Sequence, residues 1–191
     1  MNFEIINGWV EGVNRCYSPN FNQRPDACDI SLLVIHSISL PPGQYGNAYI
    51  DNLFCNVLET SAHPYFKEIE GLEVSAHFLI SRDGTVTQYV STLNRAWHAG
   101  NSNFQGRNNC NDFSIGIELE GLEGELFEQE QYRVLAKLCC CLMKNYPEIN
   151  QDRICGHSDI SPGRKQDPGS GFDWHYFFCC LDEDLLNKLL V

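Results

Sequence analysis

Residues 114–121 read SIGIELEG, and their alternation decides the architecture. Ile115, Ile117 and Leu119 take one face, while Ser114, Gly116, Glu118 and Glu120 take the other, the period of a strand with two different surroundings. Upstream, SLLVIH (31–36) is an apolar run suited to a strand buried on both faces. VSAHFLI and TVTQYV flank a turn at Arg82-Asp83-Gly84, which is a hairpin signal. Helical spacing appears between and after these strands. AYIDNLFCNVL sets Ile50, Leu53, Phe54 and Val57 on one side of a helix. Residues 128–146 carry Tyr132, Leu135, Cys139, Leu142 and Tyr146 at intervals of three and four. Arg153 to Gly156 reads as a short strand. Asp173 can cap a C-terminal helix, about 173–189, that bears Trp174, Phe177, Phe178, Leu181 and Leu185. The first 25 or so residues read as extended or irregular. The expectation is α/β: a single domain over 1–191 with a central mixed β-sheet flanked by helices.

The chain has 191 residues, 43% hydrophobic and 20% charged, as expected of an ordinary globular domain with a real core. Its formal net charge of −12 argues against nucleic acid or an anionic membrane as a partner, since both require a concentrated basic face. The opening MNFEIINGWVEG has no basic region followed by an apolar one and does not read as a signal peptide, and no later run approaches a membrane span. Ten cysteines include the adjacent groups 139–141 and 179–180, and no CxxC spacing occurs. They read as reduced, cytosolic packing residues.

GHSDISPGRKQDPGSGFDW (156–174) has almost nothing apolar to pack, yet carries an imidazole, a carboxylate and a lysine. His157 and Asp167 share this loop, and Pro168-Gly169 follows the carboxylate. His36 ends the SLLVI run, where side chains in α/β folds reach a cleft. Two neutral imidazoles and a carboxylate are a recurring ligand set for catalytic zinc, leaving the fourth tetrahedral position for water and lowering its pKa. Glu118 lies on the polar face of SIGIELEG beside Gly116, whose missing side chain leaves room for a ligand or metal. Taken alone, Glu118 and Glu120 read as a solvated strand face; beside the histidines, one glutamate becomes a natural proton carrier. Lys165, two residues before Asp167, is either a solvated lysine or a cation placed to stabilise an oxyanion. His77 reads as a core histidine, and His63 and His175 as structural. His98, in RAWHAG, is open between a support for the metal site and a structural residue.

LLVIHSISLPPGQYG, HPYF, VSAHFLISRDGTVTQYV, RAWHAG, QGR, CNDFSIGIELEG and the 156–174 stretch resemble the zinc N-acetylmuramoyl-L-alanine amidases of type 2, a family that shares its fold with peptidoglycan recognition proteins. The resemblance runs from about Gly8 to the C-terminal helix and points to the cytosolic bacterial branch that acts on 1,6-anhydro muropeptides. It implies one zinc ion on His36, His157 and Asp167, Glu118 as the catalytic glutamate, and Lys165 as support for the transition state. It implies a small recycled cell-wall fragment as substrate, cut between the lactyl group of the sugar acid and L-alanine, with no obligate protein partner. Tyr65, Trp97, Arg107 and Arg164 occupy motif positions suited to the sugar ring and its carboxylates. Glu73 and Asn109 stand where the family pattern suggests a base, and Ser37 where it suggests asparagine. Two rival readings are a metal-free muropeptide-binding module, which predicts a lost ligand residue, and a thiol-based metal or redox protein, which predicts CxxC spacing.

Overall fold

The computed structural model describes residues 3–189. Four short strands come first: β1 (Ile5–Ile6), β2 (Trp9–Val10), β3 (Asn14–Arg15) and β4 (Phe21–Gln23). Then follow β5 (Leu32–Ile38), α1 (Tyr49–Phe54), a 3-10 turn over Pro64–Ile69, and the hairpin strands β6 (Phe78–Ile80) and β7 (Val86–Gln88). The short strands β8 (Asn94–Ala96), β9 (Asn103–Phe104) and β10 (Arg107–Asn108) lead to β11 (Ser114–Glu120) and α2 (Gln129–Asn145). The chain closes with β12 (Ile154–Gly156), α3 (His157–Ile160) and α4 (Trp174–Leu189).

The main sheet has the order β12-β5-β11-β6-β7-β3. β12, β5, β11 and β6 run parallel, β7 is antiparallel to β6, and β3 is parallel to β7. It is the mixed, helix-flanked sheet expected from the periodicities. On one face Leu33, Ile35, Phe78, Ile80, Ile115, Ile117 and Leu119 pack against Leu135, Leu138, Leu142, Phe177 and Leu181 of α2 and α4. On the other, Leu32 and Val34 pack with Ala99, Cys110, Phe113, Cys155 and Ile160. β5 is therefore buried on both faces, as its unbroken apolar run requires.

Helix ends follow local chemistry. The Glu128 amide donates to Gln131 Oε1 at 3.0 Å at the start of α2, and the Tyr176 amide donates to Asp173 Oδ1 at 2.9 Å at the start of α4. One expectation is corrected: Val57 is not on the helical face. α1 stops at Phe54, Asn56 adopts φ 59°, and Val57 is 65% exposed. None of the ten cysteines is in a disulfide, and Cys139, Cys140 and Cys141 are buried in α2. No helix among the described residues is long and apolar enough to cross a membrane.

Candidate metal centre

Register brings the first two groups together. β5 and β11 are parallel, with Glu118 opposite His36, so both side chains project from neighbouring strands on the same side of the sheet. β12 ends with Gly156 opposite Ile35, and His157 therefore leaves the sheet beside His36. The sequence reading treats 156–174 as one loop; the structure corrects this, since His157–Ile160 forms a helical turn capped by Gly156, whose N–H donates to Asp159 Oδ2 at 2.7 Å. The chain then turns back so that the Ser158 amide donates to the Asp167 carbonyl at 3.0 Å. Gly169 has φ +86°, and a Cβ there would lie 2.9 Å from Glu123 Cα, so the return path packs backbone on backbone.

His36 Nδ1, His157 Nδ1 and Asp167 Oδ2 form a triangle with every side 3.0 Å, and all three residues are buried. The chemistry of this set calls for a cation. His157 Nε2 lies 3.0 Å from the Ala99 carbonyl, which can only accept, so Nε2 carries a proton and Nδ1 is the atom turned toward His36 and Asp167. Burial, before any other cause, holds His36 down to about 4, so at neutral pH that ring is uncharged. Lone pairs and a carboxylate converging in a buried site repel unless a positive ion lies between them. Tetrahedral ligands at 2.0–2.1 Å from zinc stand about 3.3 Å apart, close to the spacing here. The three residues fit a metal ion.

The outer nitrogens are held by one segment. His36 Nε2 lies 3.0 Å from His98 Nδ1, and His98 Nε2 lies 3.2 Å from Ser114 Oγ. Asn111 Oδ1 accepts from the amides of both His98 (3.1 Å) and Ala99 (2.8 Å), so one side chain fixes the supports of both histidines. The space beside Gly116 is not left for a ligand: a Cβ there would lie 2.5 Å from His98 Cγ, so the imidazole fills it. His98 thus packs with the candidate metal ligands, against His36. Asn111 and the Ala99 carbonyl escape sequence reading, because a backbone acceptor and one asparagine in RNNCND have no distinguishing pattern. His77 is the fully buried core histidine expected, accepting from the Gly116 amide at 3.0 Å. His63 caps the 3-10 turn through the Tyr65 amide, and His175 is exposed at the start of α4.

Glu118 and Glu120 share a strand face but differ in every contact. Both are buried, so the face that the two carboxylates taken alone would make solvated is interior. Glu120 accepts from the Gly46 amide (2.6 Å) and the Arg82 amide (3.2 Å) and so ties two loops to β11. Glu118 Oε2 has no hydrogen-bond partner among the described residues. Burial, then the charge of Asp167, raises the Glu118 carboxyl well above its ordinary value, with Lys165 opposing.

A cleft of about 350 Å³ opens over these groups, lined by His36, Glu118, His157, Lys165 and Asp167 at one end and by Leu40, Leu53, Phe54, Tyr65, Leu72 and Trp97 along an apolar wall. Arg107 and Arg164 are not among the lining residues. Arg107 pairs with Asp29 and lies over the Phe113 ring. Arg164 Nη2 donates to the carbonyls of Ala99 (2.7 Å) and Asn101 (2.8 Å), bracing the segment that supports His157. Asn109 adopts φ 59°, a conformation in which asparagine is favoured over a long basic side chain. Ser37 lines the cleft and Glu73 is exposed.

A mixed α/β sheet whose strand ends carry a buried His-His-Asp donor set and an unpartnered glutamate is the architecture of a metal-assisted hydrolase. Residues 26–170 match the family of N-acetylmuramoyl-L-alanine amidases (Amidase_2), and the chain belongs to that family of amide-cleaving hydrolases. It is 54% identical over 174 residues, 91% of this chain and 95% of the relative, to the 1,6-anhydro-N-acetylmuramyl-L-alanine amidase AmpD of Haemophilus influenzae. The crystal structure of a selenomethionine derivative of AmpD superposes with a TM-score of 0.90 at 48% identity, covering 93% of this chain and 98% of that one. AmpDh3 of Pseudomonas aeruginosa, solved in complex with an anhydromuramic pentapeptide, superposes with a TM-score of 0.60 at 27% identity over 82% of this chain and 61% of that one.

Proposed function

We propose that the protein is a zinc-dependent amidase of the bacterial cytoplasm, working in peptidoglycan recycling. It cuts the amide between the lactyl group of 1,6-anhydro-N-acetylmuramic acid and L-alanine of a small muropeptide. The observation that carries this reading is the buried His36–His157–Asp167 donor set with the unpartnered Glu118 carboxylate opening into the same cleft. AmpD relatives at about half identity over most of the chain support the reaction. The muropeptide held by AmpDh3 supports the ligand class.

When bound, zinc would supply a Lewis acid for the amide carbonyl and lower the pKa of water. Glu118, whose buried carboxyl has a high proton affinity, takes the proton from the attacking water and hands it to the leaving alanine nitrogen. The Lys165 ammonium, at the same end of the cleft, stabilises the negative charge that develops on the carbonyl oxygen. Tyr65 and Trp97 present aromatic surface to the sugar. A substrate role for Arg107 or Arg164 would require release from Asp29 or from the Ala99 and Asn101 carbonyls, so we assign recognition first to the aromatic wall. Incubation with 1,6-anhydro-N-acetylmuramyl-tripeptide should release the anhydro sugar acid and a peptide beginning at L-alanine, as read by mass spectrometry. Cleavage at another bond, or no turnover by zinc-loaded protein, would refute the proposal.

His98 positions His36, so its loss should weaken zinc binding without removing a ligand. His98→Ala should cost 10- to 100-fold in affinity, roughly the usual effect of deleting such a support, as measured by competition with a chelator. His98→Asn, which keeps an acceptor, should fall between. Equal affinity in all three proteins would rule the role out.

Recognition should also depend more on the sugar than on the distal peptide, because Glu73 and Asn109 bring no positive charge to the stem carboxylates. Trimming the stem peptide to a dipeptide should change kcat/KM by less than about tenfold, roughly one charge-assisted contact. Opening the anhydro ring should cost more. A collapse on trimming with indifference to the sugar would contradict this.

A further inference from the structure

Cys16 and Cys55, separated by 39 residues, hold their sulfur atoms 3.4 Å apart. Neither takes part in the site described above, and both are half-buried. Their backbones are fixed from both sides. The Cys16 amide donates to the Gln88 carbonyl at 3.0 Å, and the Cys55 amide to the Asp51 carbonyl at 2.9 Å at the end of α1. Beyond Cys16, Nδ2 of the buried Asn20 side chain donates to Asn56 Oδ1 (2.7 Å) and the Val74 carbonyl (2.8 Å), and Asn56 Nδ2 donates back to Asn20 Oδ1 (2.8 Å). Ser18 Oγ donates to the Phe54 carbonyl. The N-terminal arm is thus bolted to the end of α1 by a hydrogen-bonded seam, and the two thiols face each other across it.

We propose that Cys16 and Cys55 are a reversible oxidation site that closes to a disulfide when the protein meets a hydroperoxide. A disulfide bond is about 2.0 Å long, so the sulfurs need approach by only about 1.4 Å, within reach of side-chain rotation. Burial, then the hydrogen bond with Cys55, pushes the Cys16 thiol up to about 12, so the pair is held as thiols until an oxidant arrives. One sulfur of the pair attacks the peroxide, forming a sulfenic acid while the O–O bond breaks and the departing oxygen leaves with the thiol proton as an alcohol or water. The partner sulfur then attacks the sulfenic sulfur; the S–S bond forms, and the sulfenic oxygen leaves as water with the partner thiol's proton. Two thiols lose two electrons and the peroxide gains them. The new bond fastens the arm to the segment carrying Leu53 and Phe54, part of the apolar wall of the cleft, and leaves the metal-binding residues untouched.

The test treats the purified full chain with hydrogen peroxide, removes the excess, alkylates remaining thiols under denaturing conditions and maps the peptides. A cross-linked peptide pair containing Cys16 and Cys55, reversed by a dithiol reductant, is the expected result, with the exposed Cys28 and Cys179 as internal controls. Closing a loop of 39 residues should raise Tm by roughly 5 °C or more in the oxidised protein. Cys16→Ser and Cys55→Ser should each abolish the cross-link and the Tm shift while leaving the activity of the reduced protein unchanged. Oxidation confined to Cys28 and Cys179, or one sulfur of the pair driven to sulfinic acid with the other still alkylated, would overturn the proposal.

Discussion

Asp167→Ala is expected to purify without zinc and to lose amide hydrolysis by about 10³-fold or more, a barrier increase of at least roughly 4 kcal/mol. Asp167 Oδ2 is the only anionic donor of the set, 3.0 Å from each imidazole nitrogen, and its removal leaves two neutral ligands in a buried site. A dication there would be far less favourable without that charge. The fold should survive, because the turn is closed by the Asp167 backbone carbonyl, which accepts from Ser158 whatever side chain stands at 167. Metal analysis after dialysis should find about one zinc per wild-type chain and close to none in the variant. Added zinc should raise the Tm of the wild-type apoprotein, since a ligand present at 1,000 times its Kd stabilises by about 4 kcal/mol, and should leave the variant's Tm unmoved. Full zinc occupancy in Asp167→Ala would remove Asp167 from the ligand set and, with it, the mechanism above.

The elements that frame this site are legible in the sequence where periodicity is long. β11 alternates over seven residues, β5 is an unbroken apolar run and α2 repeats over 17 residues, so each was readable from the chain alone. Short elements were not. His157–Ile160 is too brief to show a helical period, and Val57 looked helical until the left-handed Asn56 ended α1. The histidines and carboxylates stood out because their residue types are rare in apolar strand ends and turns. Their mutual placement depends on strand register, His36 opposite Glu118 and Gly156 opposite Ile35, which no local pattern encodes. The supports were least visible of all. Arg24 is buried at 6% exposure, donating to the Ser114 carbonyl at 2.8 Å, and nothing in FNQRPDA marks it out. Arg107 and Arg164 show the opposite limit: a motif position names a residue type, and the structure shows that here both cations already hold protein partners.

Glu118→Gln should separate binding from chemistry. The variant should keep zinc, since Glu118 is outside the donor triangle, and should lose about 10²- to 10⁴-fold in turnover, the range associated with a positioned proton carrier. Its stability should move the other way. The carboxyl has a raised pKa in the fold, first because it is buried and next because Asp167 is near, so ionisation favours the unfolded chain. Below the ordinary glutamate value the wild-type side chain is neutral in both states and should match glutamine. As pH rises above about 4.5 the unfolded chain ionises first and wild-type stability falls relative to the variant, levelling only once the folded pKa is passed. The apoprotein of Glu118→Gln should therefore melt above wild type at neutral pH, by a margin that grows from acid to neutral. Glu120→Gln supplies the contrast. Its carboxylate is satisfied by the Gly46 and Arg82 amides, so turnover should change by only a few-fold, while the loss of charge-assisted bonds should cost stability of about 1–2 kcal/mol. A zinc-loaded Glu118→Gln protein with near wild-type turnover, or a Glu120→Gln protein with the larger loss, would mean that the proton travels through a different carboxylate on this strand.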